Sequence, residues 1–251
     1  MGIIQIIPIF ISETMLKYNV LIPAYNAAST LPRLLQNLRQ LDIQPQNVLV
    51  VDDGSSDETA DISLNMNANL LRLKENTGKG YALRQGWNYL LQNYKIEYLL
   101  IMDADLQHPV SSIPDFLEFA EQKRSKFIIG MRELSLKKMP IHRILSNRMT
   151  SLIISLLCGQ KIIDSQCGFR MIHRDVLTAL QVYEDGFQLE SEMILRASDL
   201  GVTIDFIAIP TLYDSERSHI ENIHDTFKFI TLILKEILTR IRCVFKNKAK
   251  H

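Results

Sequence analysis

The sequence lacks the features that mark several large classes of protein. No apolar run approaches the roughly 20 residues that a membrane-spanning helix requires. Cys158, Cys167 and Cys243 are too few and too widely spaced for a disulfide framework or a metal knuckle. Basic and acidic residues both number 28, and a formal net charge of zero argues against nucleic acid as a partner. These absences favour a cytoplasmic protein with reduced thiols.

The chain is not depleted in apolar residues, so it is not intrinsically disordered. With 47% hydrophobic and 22% charged residues, it is typical of a globular protein. Residues 1–14 have neither a basic leader nor a small-residue cleavage site, and we interpret them as a dispensable N-terminal extension or a misassigned start. We expect one folded domain over residues 15–223, followed by a basic amphipathic helix over residues 224–251.

The first half of the chain alternates short apolar runs with helical patterns. Strands are predicted at Tyr18–Pro23, Asn47–Val51, Leu70–Leu73, Tyr98–Met102 and Phe127–Gly130. Helices are predicted to begin near Leu31, Asp57, Gly78 and Ser111. This alternation predicts an α/β fold whose mainly parallel central sheet is flanked by helices. Ligands of such sheets bind beyond the carboxyl ends of the strands.

The second half predicts helices over residues 140–157, 189–200 and 224–245, with a strand over 202–209. Residues 123–148 hold eight basic residues and one acid, and residues 228–251 hold seven and one. Both runs lie beside apolar helical stripes, a combination typical of segments at a membrane surface. For the tail, a solvated basic face remains an equal alternative.

Asp103, Asp105 and Gln107 follow a buried strand. If the extended conformation persists, their side chains share one side of the chain. Two unpaired carboxylates repel each other, and Mg²⁺ or Mn²⁺ would relieve this while sharing its coordination with phosphates. His108 is either a further ligand or a loop histidine.

Polar residues also follow the first two strands. Asp52 and Asp53 exceed what a turn requires, although Asp57 can cap the next helix. A carboxylate here can accept hydrogen bonds from a nucleobase, while Tyr25 offers a stacking surface and Asn26 offers both donors and acceptors.

Asn76–Gly80 opens a predicted helix. Its glycines, lysine and helix N–H groups suit phosphate, although a simple helix start explains them nearly as well. The spacing is not that of a Walker loop.

Taken in order, these motifs resemble inverting glycosyltransferase family 2, which has a GT-A nucleotide-sugar fold. The motifs of the second half resemble its polyprenyl-phosphate branch, which is similar to dolichyl-phosphate mannose synthase. They are Gly130–Arg132, Arg143–Arg148, Asp164–Arg170 and Glu190–Met193. Residues 213–220 depart from the R-x-x-G-x-S-K pattern of that branch, which weakens a donor-phosphate role for Arg217.

The resemblance implies a set of site residues. A nucleotide-diphosphate sugar would be bound by Pro23, Tyr25, Asn26, Asp52 or Asp53, Lys79, Ala104 and Arg217. Asp103, Asp105 and Gln107 would hold Mg²⁺ or Mn²⁺ and the diphosphate. Catalysis by in-line displacement with inversion would rest on Asp103, Asp105, Arg132 and Arg148.

The acceptor can be inferred from charge. A sugar hydroxyl requires a carboxylate base, whereas a lipid phosphate is already anionic and requires cations. The candidates for binding a polyprenyl phosphate at the membrane surface are Arg132, Arg143, Ser146, Arg148 and Arg170. Alternatively, Arg170 pairs structurally with Asp164.

Three other functions remain open from the residues alone. The first is a family 2 transferase that acts on a hydroxyl of a saccharide or a lipid-linked glycan, with Glu190 or Glu192 as its general base. The alternative for these two residues is a structural one, because acidic side chains are favoured in the first turn of a helix. Nucleotidyl transfer and a non-catalytic nucleotide-sugar module are the remaining alternatives.

Overall fold

The computed structural model describes residues 16–132, 141–210 and 229–240, except for the side chains of residues 141–143. The predictions for residues 1–14, for Arg217 and for most of the basic tail therefore lie outside the described residues. So does the prediction for the Arg143 side chain.

Seven strands and the helices between them build the described structure. The strands are β1 (Tyr18–Ala24), β2 (Val48–Asp52), β3 (Asn69–Arg72), β4 (Tyr98–Ile101), β5 (Phe127–Arg132), β6 (Arg170–His173) and β7 (Asp205–Ile209). The helices are α1 (Leu31–Arg39), α2 (Thr59–Asn65), α3 (Lys79–Asn93), α4 (Ile113–Lys123), α5 (Ile141–Cys158), α6 (Arg174–Ala179), α7 (Leu189–Asp199) and α8 (residues 229–240).

The strands form a single sheet in the order β3-β2-β1-β4-β6-β5-β7. Strand β6 runs antiparallel to both of its neighbours, and the other pairings are parallel. The predicted α/β architecture with a mainly parallel sheet is confirmed. The antiparallel insertion of β6 was not predicted, because strand direction depends on a long crossover that local patterns do not encode.

Burial on both faces explains why the strand sequences are continuously apolar. All seven residues of β1 and all four of β4 are buried. Helix α1 covers the sheet with Leu31, Leu34, Leu35 and Leu38. Each such side chain contributes about 1.5–3 kcal/mol when it is removed from water.

The direction of the strands decides which loops meet. The parallel strands β1, β2, β3, β4 and β5 end at one edge of the sheet, and β6 begins there because it is antiparallel. The residues that follow β1, β2 and β4 therefore share that edge with the segment that precedes β6. No helix in the described ranges is both long and apolar enough to cross a membrane.

Helix α3 approaches the sheet closely at Gly86. A Cβ atom built at this position would lie 2.4 Å from Leu21 Cδ1 and 2.7 Å from Val51 Cγ2, both in fully buried side chains. Glycine is required here because the core has no room for a side chain.

We expect Gly86→Val to lower the free energy of unfolding by about 1–3 kcal/mol through overpacking. Asn88→Val, at an exposed position of the same helix, carries the helix cost of a β-branched residue without the clash. Urea unfolding followed by circular dichroism measures both variants. Equal destabilisation of the two would show that the close approach is unimportant.

Candidate active site

The loop after β4 carries the predicted metal-binding aspartates, but it is not extended. Strand β4 ends at Ile101, and Leu106 adopts a left-handed conformation with φ of 62°. Within the loop, the Gln107 backbone N–H donates to Asp105 Oδ1 at 3.0 Å. The expectation that period 2 aligns Asp103, Asp105 and Gln107 is therefore wrong, because the chain turns after Asp103.

Lys79 contacts two carboxylates in this cleft. Its Nζ atom lies 2.7 Å from Asp103 Oδ1 and donates to Glu190 Oε1 at 2.7 Å. Burial opposes its charged form, but the Asp103 and Glu190 carboxylates raise the pKa of Lys79 above its ordinary value. The amine therefore links the start of α3, the loop after β4 and the first turn of α7.

The second oxygen of Asp103 faces the segment before β6. His108 Nε2 lies 3.4 Å from Asp103 Oδ2, and the buried imidazole stacks on Phe169 with ring centroids 5.2 Å apart. A Cβ atom at Gly168 would lie 2.6 Å from Asp103 Oδ2. Burial opposes ionisation, but Lys79 and then His108 lower the pKa of Asp103 well below its usual range.

Asp105 has no cationic partner among the described residues, and its side chain is exposed. Desolvation in the cleft and then the negative charge of Asp103 raise the pKa of Asp105. In the described part of the chain, no three acidic, histidine or cysteine side chains form a metal-binding cluster. A carboxylate that lacks a counter-charge still suits a Mg²⁺ or Mn²⁺ ion that takes most of its ligands from water and phosphates.

The two aspartates at the end of β2, Asp52 within the strand and Asp53 after it, form hydrogen bonds or ion pairs within the chain. Asp53 accepts hydrogen bonds from Thr77 N at 2.8 Å, Thr77 Oγ1 at 2.8 Å and Gly78 N at 2.9 Å. Asp52 accepts from Ser55 N at 2.9 Å and pairs with Arg72 Nε at 3.2 Å. Both stabilise the surrounding turns, and a nucleoside contact by either stays a prediction.

Tyr25 and Asn26 lie at the same edge of the sheet. The side chain of Tyr25 is exposed, whereas Pro23 is buried within β1. Asn26 has a φ of 50°, and its Oδ1 accepts from Ser56 N at 2.9 Å. This bond ties the loop after β1 to the loop after β2 and leaves the tyrosine ring open for stacking.

Four N–H groups around the start of α3, including that of Thr77, already donate within the chain. Gly78 N donates to Asp53, while Gly80 N and Tyr81 N donate to Asp185 O at 2.7 and 3.1 Å. The structure therefore favours the helix-start interpretation of Asn76–Gly80 over a phosphate cradle. A role of Lys79 in binding the donor remains a prediction.

Arg170 is a structural residue, and the prediction that it binds an acceptor phosphate is wrong. It is 1% exposed and donates to the carbonyls of Cys167, Glu190 and Ser165 at 2.6–2.9 Å. It does not pair with Asp164 either. Buried donors that are fully satisfied hold a segment in place and leave nothing for a ligand.

Asp164 instead binds Arg132. The Nε and Nη2 atoms of Arg132 donate to the two Asp164 oxygens at 2.8 and 2.9 Å, and Asn147 Nδ2 donates to Oδ1 at 2.9 Å. Burial opposes ionisation of the acid, but these donors lower the pKa of Asp164. The pair fixes the end of β5 against α5.

An open groove of about 800 Å³ lies between α5 and the segment that follows it. Five apolar side chains contribute to its lining: Met131, Leu152, Leu156, Ile162 and Ile163. Arg132, Arg148 and Lys161 also line it, and Arg148 has no hydrogen-bond or ion-pair partner in the described ranges. Arg132 and the exposed Arg148 therefore face one groove, and the partly buried Ser146 lies two residues before Arg148.

Three residues of the cleft were not identified from the sequence. Arg72, Gly168 and Phe187 contact Asp52, Asp103 and Lys79, respectively. The carboxyl-edge rule could have found Arg72, because it ends β3. Gly168 and Phe187 depend on the direction of β6 and on long-range packing, which no local pattern signals.

The family model "Glycosyl transferase family 2" matches residues 19–180. The chain belongs to this family. The match spans β1 to α6 and includes the loop after β4, which carries Asp103 and Asp105.

Two similar proteins and one solved structure are informative. An uncharacterized protein of Methanocaldococcus jannaschii is 29% identical over 87% of this chain and 96% of its own length. The undecaprenyl-phosphate 4-deoxy-4-formamido-L-arabinose transferase of Yersinia enterocolitica is 28% identical over 67% of this chain and 52% of its own. Glucosyl-3-phosphoglycerate synthase of Mycobacterium tuberculosis, crystallised with Mn²⁺, UDP and glucosyl-3-phosphoglycerate, shares the fold. Its TM-score is 0.68 at 17% identity, over 90% of this chain and 80% of that one.

In this family 2 chain, we expect Arg170→Gln to lower the free energy of unfolding by about 2–4 kcal/mol, because buried carbonyls lose their donors. Arg148→Gln, at an exposed position, should stay within about 0.5 kcal/mol of the wild type. Chemical denaturation measures both. If Arg170→Gln is as stable as Arg148→Gln, the structural role of Arg170 is refuted.

Proposed function

We propose that the chain transfers a hexose from a nucleotide-diphosphate sugar to a polyprenyl phosphate, with inversion at the anomeric carbon. The name of the Yersinia relative, an undecaprenyl-phosphate sugar transferase, supports this class of acceptor, although this chain spans about half of that protein's length. The observation that carries the proposal is the apolar groove that Arg132 and Arg148 line.

The donor would bind along the carboxyl edge of the sheet. The open ring of Tyr25 suits a nucleobase, and Asn26 and Asp53 hold the two loops that frame it. Lys79 contributes a positive charge in the cleft, where it already balances Asp103 and Glu190. A diphosphate bound there would lie beside the Lys79 ammonium group, whose position is fixed by the two carboxylates.

Mg²⁺ or Mn²⁺ would be held chiefly by Asp105, with Gln107 and Asp103 beside it. Asp105 fits this role because the residue is exposed and makes no ion pair with the described residues. When bound, the metal neutralises charge that develops on the departing diphosphate. Asp103 is less available, because Lys79 and His108 already face its two oxygens.

The acceptor side of the cleft suits an anion with an apolar tail. Apolar side chains of α5 and of residues 162–163 would cover the first prenyl units, and Arg148 would hold the phosphate. The pairing of Arg132 with Asp164 fixes the orientation of its guanidinium at the same groove. Cations at this position allow a negatively charged acceptor to approach an anionic donor.

A phosphate acceptor requires no general base, and neither glutamate of α7 is a free one. Glu190 is bound to Lys79, and one oxygen of Glu192 accepts from the N–H groups of Tyr183 and Glu184 at 2.9 Å each. In the proposed step, a phosphate oxygen bonds to the anomeric carbon from the side opposite the diphosphate. The bond from that carbon to the diphosphate oxygen breaks, and the nucleoside diphosphate leaves.

Two exposed apolar stripes support peripheral association with the cytoplasmic face of a membrane. On α5, the exposed side chains are Leu145, Met149, Leu152 and Leu156. On α8, they are Ile230, Leu234, Ile237 and Leu238. The other side of α8 is attached to α7, because Arg196 and Arg240 bind Glu236 and Asp199. Helices with one apolar open face and basic neighbours lie in the lipid interface.

A donor screen tests the proposal. The chain is incubated with undecaprenyl or dolichyl phosphate, Mg²⁺ and each of several nucleotide sugars, and the lipid product is identified by its mass. A lipid monophosphate that gains one hexose is expected. Transfer to a soluble saccharide but not to the lipid would select a hydroxyl acceptor, and transfer of the nucleotide itself would refute glycosyl transfer.

We expect Asp105→Ala to abolish turnover and to weaken Mn²⁺ binding at least tenfold. The free energy of unfolding should be unchanged or slightly higher, because the variant removes a charge that Asp103 repels. Turnover, calorimetric titration with Mn²⁺ and urea unfolding provide the three measurements. Asp61→Ala, in the first turn of α2, is the control. Full activity in excess chelator would contradict the metal role.

We expect Arg148→Glu to raise the KM for the lipid phosphate at least tenfold, because charge reversal repels the acceptor. The affinity for the nucleotide sugar should change less than twofold. Arg33→Glu, an exposed arginine on α1, makes the same change in net charge away from the groove. If both variants have the KM of the wild type, Arg148 does not bind the acceptor.

A further inference from the structure

Phe187 is an exposed aromatic residue beside the catalytic cleft. The residue is 55% exposed, although it lies two residues before α7 and the first five residues of that helix are buried. Lys79 Nζ lies 5.6 Å from the ring centroid and 2.7 Å from Asp103 Oδ1. The centroid is therefore at most 8.3 Å from the Asp103 carboxylate. The ring therefore lies close to the cleft that Lys79 and Asp103 form.

The segment that carries this ring, residues 183–188, is held rigidly, and we call it the ledge. Its first two N–H groups donate to Glu192 Oε2, and its Asp185 carbonyl accepts from Gly80 N and Tyr81 N. Arg84 binds the Glu184 carbonyl and the Asp185 carboxylate. The ledge is thus attached both to α7 and to the start of α3.

The packing of glycines against the ledge reinforces this attachment. A Cβ atom would lie 2.6 Å from Asp185 O at Gly78 and 2.6 Å from Glu184 O at Gly80. Gly78 and Gly80 therefore lie where the ledge packs too closely against the start of α3 to leave room for a side chain. These contacts restrain the segment that carries the exposed Phe187 ring, and side chains of binding sites are commonly positioned by such restraints.

We propose that Phe187 is a specificity-determining residue that stacks against the apolar face of the transferred hexose. The inference rests on the donor half of the proposed function and does not depend on the acceptor. The flat ring offers an apolar surface, and its neighbours Lys79 and Glu190 offer a donor and an acceptor for sugar hydroxyls. Such a combination of an aromatic wall with a few polar groups is typical of small-molecule sites.

The test compares nucleotide sugars with the same nucleotides lacking sugar. Calorimetry in the presence of Mn²⁺ measures the affinities of UDP-glucose and UDP, and of GDP-mannose and GDP, for the wild type, Phe187→Ala and Phe187→Trp. For the pair that binds, Phe187→Ala should weaken the affinity for the nucleotide sugar at least fivefold and the affinity for the nucleoside diphosphate less than twofold. Phe187→Trp should restore most of the loss.

Tyr183→Ala is the matched control, because Tyr183 is an aromatic residue on the same ledge, is 71% exposed and contacts Gln181 rather than Lys79. It should leave both affinities unchanged. The inference fails if Phe187→Ala weakens both ligands equally, weakens neither, or raises only the KM for the lipid phosphate. It survives if the donor binds as expected but the acceptor is not a lipid, so its failure is distinguishable from that of the proposed function.

Discussion

The ion pairs of one buried amine connect the parts of the candidate active site. Lys79 lies between Asp103 and Glu190, at 2.7 Å from each carboxylate, and thereby joins the start of α3, the loop after β4 and the first turn of α7. A buried charge is tolerated only when it is paired, so none of these three elements can shift without leaving a charge uncompensated. Asp105, in the same loop as Asp103, makes no ion pair with the described residues.

The second constraint is the direction of β6. Because this strand is antiparallel, the segment before it returns to the edge at which β4 and β5 end. Gly168 then approaches Asp103 on one side, while Asp164 binds Arg132 on the other. The cleft proposed for the nucleotide sugar and the groove proposed for the acceptor are thus connected by the short segment before β6.

The strands, the main helices and the sheet edge that carries the candidate site were predictable, because apolar runs and turn residues are local signals. The bounds of the predicted strands differ from the observed ones by one or two residues in β1, β2, β3, β4 and β5. Individual contacts were less predictable. Asp53 and Arg170 occur in motifs that suggest ligands, yet both satisfy donors or acceptors of their own chain. Lys79 and Phe187 owe their positions to residues about 100 apart in sequence, which only the assembled fold brings together.

The pairing of β5 with β6 has one further consequence. The chain leaves the sheet after Arg132 and re-enters it at Arg170, on the neighbouring strand, with Ile129 opposite Arg170. The end of β5 and the start of β6 are therefore neighbours in the sheet. The segment between them, which includes α5, can vary in length and sequence without altering the strand register. Under the proposed function, exchanging the segment between β5 and β6 would change the acceptor while leaving the loops proposed for the nucleotide as they are.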